Sequence, residues 1–139
     1  MAAETAYGIT LDGVDLSTSP YNLIVMDGEP PLVPEPRIFE RQKATAHGSV
    51  IQGASYEPAR FTLSCACLYS DAGDPDETLD ALAGAFLAAT VEAQTFVVGW
   101  RPTKQWNVRV TSAFEPQRRG NGALFSISFI APYPLPTTI

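Results

Sequence analysis

The 139-residue sequence predicts a mainly β fold, an antiparallel β-sandwich or barrel flanked by one α-helix. Three observations predict this class. Short segments with an apolar residue at every second position recur along the chain, one segment alone has apolar residues at helical spacing, and a proline-rich connector separates two groups of strands. The length fits a single domain, residues 1–139, that can bury a core without metals or disulfides.

The chain begins with two short predicted strands and a connector. Tyr7 to Leu11 is the first strand, and Asp12-Gly13 after it is a typical hairpin-turn dipeptide. Residues 21–26 form a second apolar run. Residues 29–36, EPPLVPEP, contain four prolines, which lack the N–H group that a helix or a central strand needs. This segment is therefore predicted to run extended over the surface.

Residues 37–58 are predicted to form a strand–loop–strand arm that projects from the domain. RIFERQK, residues 37–43, has no clean apolar face, and the small residues after it include only one bulky apolar pair. Such an arm has little apolar surface to pack against its own domain, and it leaves a strand edge unpaired. We therefore expect it to complete the sheet of a neighbouring copy. The predicted contact residues are Ile38, Phe39, Val50 and Ile51.

Arg60 to Tyr69 is predicted as a strand with one buried face, which carries Phe61, Leu63, Cys65 and Cys67. The two cysteines are two residues apart, about 6.6 Å along an extended strand. A disulfide requires Cβ atoms about 3.8 Å apart, so both cysteines are predicted to be small buried hydrophobic residues instead.

A single helix is predicted at about residues 74–91. Asp74 suits the N-cap position, Pro75 the first helical position, and Glu77 lies where a capping box needs it. The predicted apolar stripe consists of Leu79, Leu82, Ala83, Phe86, Leu87 and Thr90.

Three further strands are predicted after the helix, at residues 95–100, 105–114 and 123–131, each with alternating apolar residues. RRGNG, residues 118–122, is predicted to be a turn. Three prolines in the last nine residues, APYPLPTTI, are predicted to end the sheet.

The composition narrows the classes of function. The net charge of −6 argues against nucleic-acid capture, which needs clustered lysine and arginine. The charged fraction of 17% is low and leaves room for surface that partner subunits cover. No segment approaches the roughly 18 consecutive apolar residues of a membrane span. The N-terminal residues lack the basic and apolar regions of a signal peptide, so synthesis in the cytoplasm is expected.

No catalytic, cofactor-binding or metal-binding residue is assigned, and an enzyme is not expected. His47, the only histidine, has Ser49 nearby but no orienting carboxylate. The acidic run at residues 71–77 lacks the ligand spacing of a calcium loop, and helix capping and dipole complementarity explain it.

Two smaller features each have two interpretations. The Arg118-Arg119 pair is either a solvated hairpin tip, which we favour, or a contact with an acidic neighbour. Trp100 and Trp106 are either core residues, which we favour, or a platform for a sugar ring.

Five segments, taken in order, resemble the distal tail protein (Dit) family of long-tailed phages. They are the turn at residues 13–16, the glycines Gly48 and Gly53 of the arm, the strand at residues 60–63, the helix with Leu79, Leu82 and Leu87, and the strand end at residues 129–134. The resemblance implies a tail-tube-like β-sandwich flanked by a helix. It also implies assembly as a hexameric ring, the baseplate hub adaptor, between the tail tube and the hub or host-recognition apparatus.

The resemblance also implies the location and partners of the protein. It would be a virion protein at the tail tip, assembled in the host cytoplasm, with contacts to itself, to the tail tube protein and to baseplate hub or tail fibre proteins. DNA would only pass through the lumen of the ring, which we expect to be net negative, and no membrane is involved.

One departure from the family refines this expectation. Many relatives carry a further C-terminal domain similar to a carbohydrate module, and nothing follows Ile139 here. This favours a short form with a pure adaptor role. The alternatives are a tail-tube or tail-terminator subunit and, second, a small carbohydrate-binding module that uses Trp100 and Trp106.

Overall fold

The computed structural model describes residues 7–33, 36–42, 49–71 and 73–139, and for residues 36–42 and 49–55 it describes the backbone alone. The elements in these ranges are, in chain order, β1 Ile9–Leu11, β2 Val14–Asp15, β3 Leu23–Asp27, β4 Pro36–Gln42, β5 Ser49–Tyr56, β6 Ala59–Leu68, α1 Pro75–Val91, β7 Gln94–Val98, β8 Lys104–Val110, β9 Gln117–Arg119, β10 Gly122–Ala131 and β11 Thr137–Thr138.

Most strands belong to one antiparallel sheet in the order β2-β1-β7-β8-β10-β6-β3, with β9 added to β10 and β11 added to β8. The sheet curls so that β3, at one end, comes within hydrogen-bond distance of residues next to β1 and β2, at the other end. The Val25 N–H on β3 donates to the carbonyl oxygen of Tyr7 at 2.7 Å, and the Leu23 N–H donates to that of Leu16 at 2.8 Å. The result is a half-barrel with one helix, and the predicted mainly β fold is confirmed.

The core fills the concave face of this sheet. On β6, Phe61, Leu63, Cys65 and Cys67 are buried, as their alternation predicts. β10 pairs with β6 along its whole length. The rings of Phe61, Phe96 and Phe129, from three different strands, lie with their centroids 5.1 to 5.5 Å apart. This aromatic cluster joins the two halves of the sheet.

Helix α1 lies within the predicted range and buries Thr78, Leu79, Leu82, Phe86 and Ala89. The predicted stripe is wrong at its C-terminal end, where Leu87 is 66% exposed and Thr90 is also exposed. Leu79, Leu82, Phe86 and Ala89 recur at i, i+3, i+7 and i+10, so Ala89 continues the buried series. Leu87 lies about 100° around the helix from Phe86 and faces outward.

The start of α1 is only partly as predicted. Pro75 is in the first turn, and Asp74 occupies the N-cap position, but its side-chain carboxylate accepts no capping hydrogen bond. The predicted capping box is therefore wrong. Instead, the Ser70 N–H donates to the Thr78 hydroxyl at 2.9 Å, which ties the start of the helix to the end of β6.

Both ends of the chain contribute to the sheet. Asp12 and Gly13 have positive φ angles of 53° and 78°, as expected of the predicted hairpin turn. The prediction that the final prolines end the sheet is wrong, because Thr137 and Thr138 pair with Gln105 and Lys104 of β8. The chain passes the prolines and returns as a short edge strand, which needs few ladder hydrogen bonds.

In the described part of the chain, no helix is long and apolar enough to cross a membrane.

Candidate assembly interface

The backbone of the predicted arm forms two antiparallel strands, β4 and β5, in a separate two-stranded sheet. A register irregularity follows Phe39, which pairs with Gly53 while the next residue, Glu40, pairs with Ile51. Within the described ranges, β4 and β5 pair with each other and with no strand of the large sheet. In the described part of the protomer, each strand thus has an edge without a partner strand, and such an edge is a template for pairing with another chain.

The four predicted contact residues lie on these two strands, with Ile38 and Phe39 on β4 and Val50 and Ile51 on β5. Their backbone is described, but their side chains lie outside the described part of the structure. Their contact with a neighbouring copy stays a prediction. His47 lies outside the described residues altogether, and Ser49 is the first residue of β5.

An open acidic cleft of about 360 Å³ lies where β3 ends and the connector begins. Two aromatic residues, Tyr7 and Trp100, and two carboxylates, Asp27 and Glu29, are among its walls. The indole N–H of Trp100 donates to Oε2 of Glu29 at 3.0 Å. We refer to this site as the acidic cleft; Val25, Met26 and Gly28 also line it.

Gly28 explains why the two carboxylates flank one cleft. Its φ of +98° is a conformation that residues with a side chain rarely adopt, and a Cβ atom there would collide with the carbonyl oxygen of Thr62. The backbone therefore turns tightly against β6, and the Gly28 N–H donates to Oδ1 of Asp27 at 2.9 Å. Asp27 and Glu29 are the neighbours of Gly28 in the chain, and both line the cleft. The sequence showed Asp27-Gly28 only as the end of a strand.

Trp100 and Trp106 do not form a common platform. Trp106 is 2% exposed, in the core, with the guanidinium of Arg101 5.5 Å from its ring centroid. Trp100 is half-buried and lines the acidic cleft. The favoured interpretation of Trp106 as core is confirmed, and a sugar platform made of both rings is excluded by that burial.

The remaining candidate groups have structural explanations. Cys65 and Cys67 are free and buried, and burial together with the neighbouring Cys67 raises the pKa of Cys65 to about 12. Arg118 donates to Oδ1 of Asp76 at 2.6 Å, so this arginine contacts the first turn of α1 in its own chain. Among the residues that the structure describes, no three His, Cys, Asp or Glu side chains are grouped to hold a metal ion.

An apolar groove lies on the outer side of α1, where it meets the end of β8. Leu87 and Phe114 line this groove, together with Ala83, Phe86, Thr90 and Val110. Val91, in the last turn of the helix, is also exposed. The exposed position of Leu87, which the helical pattern did not predict, gives the helix an apolar residue on its outer face.

No protein-family model matches this sequence, and no curated protein matches it. The fold, in contrast, is similar to the crystal structure of the Dit protein of phage SPP1, described as a paradigm of the hub adsorption apparatus in phages that infect Gram-positive bacteria. The match has a TM-score of 0.68, covers 95% of this chain and has 16% sequence identity. The chain spans 52%, about half, of the length of that protein. The Dit-like fold that the sequence resemblance implied is thereby confirmed.

Proposed function

We propose that this chain is a structural subunit of a phage tail tip. In this role it forms a ring that joins the tail tube to the hub and the host-recognition apparatus. The observation that carries the proposal is the likeness to SPP1 Dit, which extends over 95% of the chain. In this proposal the role of the chain is structural rather than catalytic.

The unpaired edges of the arm are a further reason to propose a ring. Contacts between different surfaces of identical subunits close into a ring when the rotation between neighbours allows it. The β4–β5 sheet, which pairs with no strand of its own half-barrel in the described ranges, supplies one such surface. We propose a hexamer in which each arm lies on the next subunit and Ile38, Phe39, Val50 and Ile51 make the contact.

The test is an arm deletion, followed by electron microscopy and mass photometry of the purified protein. Residues 40–53 are removed and the ends are rejoined through a Gly-Gly linker, because paired Cα atoms of antiparallel strands are about 4.5 to 5.5 Å apart. We expect a folded monomer from the deletion and a discrete ring with a central hole from the wild-type chain. Rings formed by the deletion variant would refute the arm contact.

A matched control keeps the strands and changes only the tip. Replacing residues 43–48 with six Gly and Ser residues leaves β4 and β5 in place, so we expect this variant to form rings. A wild-type chain that stays monomeric under all conditions would refute the ring. Filaments would instead favour the tail-tube alternative.

The partners can be tested by mixing. The wild-type ring should bind the tail tube protein and the hub protein of the same phage, one on each face. A cryo-electron microscopy map of the ring also tests the proposed net negative lumen, since a channel lined with lysine and arginine would contradict it. DNA, which is polyanionic, would slide along an acidic wall without being retained.

A further inference from the structure

We infer that the acidic cleft receives the basic β4–β5 segment of a second copy of this chain. An arm arginine would lie against Trp100 and bond to the carboxylates of Asp27 and Glu29. This inference rests on the proposed ring and names the receiving site within it. It follows from three observations on this molecule: the distribution of charge along the sequence, the walls of the cleft and the engagement of the other cations.

Charge is divided unevenly between the β4–β5 segment, residues 36–56, and the rest of the chain. The segment contains three of the nine basic residues, Arg37, Arg41 and Lys43, and one of the fifteen acidic residues, Glu40, so its net charge is +2. Six basic and fourteen acidic residues remain elsewhere, which gives the rest of the chain −8. The two parts are therefore electrostatically complementary, and such complementarity guides one partner to its site and fixes its register.

The walls of the cleft suit a guanidinium or an ammonium group. The faces of aromatic rings attract cations, and the attraction is strongest when the cation is desolvated. Among aromatic side chains, tryptophan attracts cations most strongly. Carboxylates accept the paired N–H groups of arginine. Here the bond from the Trp100 indole to Glu29 holds a carboxylate beside the aromatic ring. Tyr7, which is 65% exposed, adds a second aromatic ring to the same cleft.

Most basic residues outside the β4–β5 segment are already engaged within the protomer. Arg118 pairs with Asp76, and Arg109 donates to the carbonyl oxygens of Thr90 and Val91 at the end of α1. Arg101 stacks on Trp106, and Lys104 donates to the Thr138 hydroxyl. By sequence, the β4–β5 segment contains the largest group of basic residues apart from these four, and the cleft is an acidic site with aromatic walls.

A charge swap tests the inference. One variant, Arg37→Glu with Arg41→Glu, reverses the charge of the arm. The other variant, Asp27→Lys with Glu29→Lys, reverses the charge of the cleft. Each interface then places like charges together, which is unfavourable, so we expect each variant alone to need a roughly hundredfold higher concentration to form rings. Circular dichroism and thermal unfolding establish that each variant is folded.

Mixing the two variants is the decisive step. In the mixture, the acidic arm of one variant meets the basic cleft of the other, and the wild-type arm of the second meets the wild-type cleft of the first. We expect alternating rings to form in the mixture and in a chain that carries all four substitutions. Folded variants that are each monomeric but do not form rings when mixed would overturn the inference.

A control and a milder variant distinguish a failure of this inference from a failure of the proposed ring. Glu92→Lys makes one acidic-to-lysine substitution, half of the charge change of the cleft variant, at an exposed residue outside the cleft, and this variant should keep the ring. Asp27→Asn with Glu29→Gln removes the negative charges without adding positive ones, and should weaken the ring. If the arm deletion abolishes rings while both cleft variants keep them, the proposed function stands and the cleft is not the receiving site. If the wild-type chain never forms rings, the proposed function fails first.

Discussion

The half-barrel and the arm use strands in opposite ways. In the half-barrel, alternation places one side of each long strand in a shared core, and Phe61, Phe96 and Phe129 meet there although they are far apart in sequence. In the arm, β4 and β5 pair only with each other within the described ranges, and their sequence is short of apolar residues. An isolated two-stranded sheet is marginally stable in water. The difference is consistent with the proposal that a partner stabilises the arm, whereas the half-barrel has a core of its own.

Replacement of a phenylalanine by alanine in each region tests this comparison, and it has the largest expected effect on stability. Phe129 is 1% exposed and stacks on Phe61, so Phe129→Ala should lower the free energy of unfolding by about 3–5 kcal/mol. Phe39→Ala in the arm should change it by less than about 1 kcal/mol. Urea denaturation below the concentration of ring assembly measures both. A large loss for Phe39→Ala would mean that the arm packs on its own half-barrel.

Gly28 lies at the boundary between the two regions, and Gly28→Ala is the next largest expected effect. The positive φ and the collision of a Cβ atom with the Thr62 carbonyl oxygen should cost about 2–4 kcal/mol. Gly120→Ala is the matched control, because Gly120 also has a positive φ but its Cβ atom would meet no heavy atom within 4 Å. We expect it to cost about 1–2 kcal/mol. Equal losses in thermal unfolding would contradict close packing of the Gly28 turn on β6.

The features that could be predicted from the sequence are those that local patterns determine. The alternation of β6 and the single helix were predictable because they are local patterns imposed by burial. The strand pair of the arm, predicted at residues 37–58, was also predictable, because prolines bound it and its composition differs. Leu87 was wrongly assigned to the buried stripe, since the width of the buried face depends on the sheet surface that the helix meets.

The acidic cleft was not predictable from local pattern. Glu29 and Trp100 are 71 residues apart, and only the curl of the sheet brings them within hydrogen-bond distance. The signal that the sequence did contain was the uneven distribution of charge, with Arg37, Arg41 and Lys43 close together in a chain of net charge −6. Such a signal indicates the chemistry of a partner, but it does not locate the site that receives it.

The buried thiols give a pH-dependent test that involves the half-barrel alone. Burial raises the pKa of Cys65 to about 12 from an ordinary value of 9.0, and it raises the pKa of Cys67 as well. The folded state therefore keeps protons that the unfolded state releases, so stability is complete below pH 9 and falls as the pH rises from about 9 towards 12. At pH 10 we expect a loss of about 1–2 kcal/mol relative to pH 8 from these thiols.

Two variants assign this loss to its source. Cys65→Ala with Cys67→Ala should remove this part of the pH dependence. The variant without residues 40–53 should retain it in full, because both cysteines lie on β6. Urea denaturation at the two pH values measures the difference. A pH dependence that disappears with the arm would show that the two regions are coupled in folding.

The smallest expected effect concerns Leu87, an exposed apolar residue of the half-barrel. Because its side chain is 66% exposed, Leu87→Gln should change the free energy of unfolding by less than about 0.5 kcal/mol, whereas Leu82→Ala, at a fully buried position on the same helix, should cost about 2–5 kcal/mol. Ring formation by Leu87→Gln should equal that of the wild-type chain if the arm makes the subunit contact. Loss of rings with unchanged stability would instead place a subunit contact on α1 of the half-barrel.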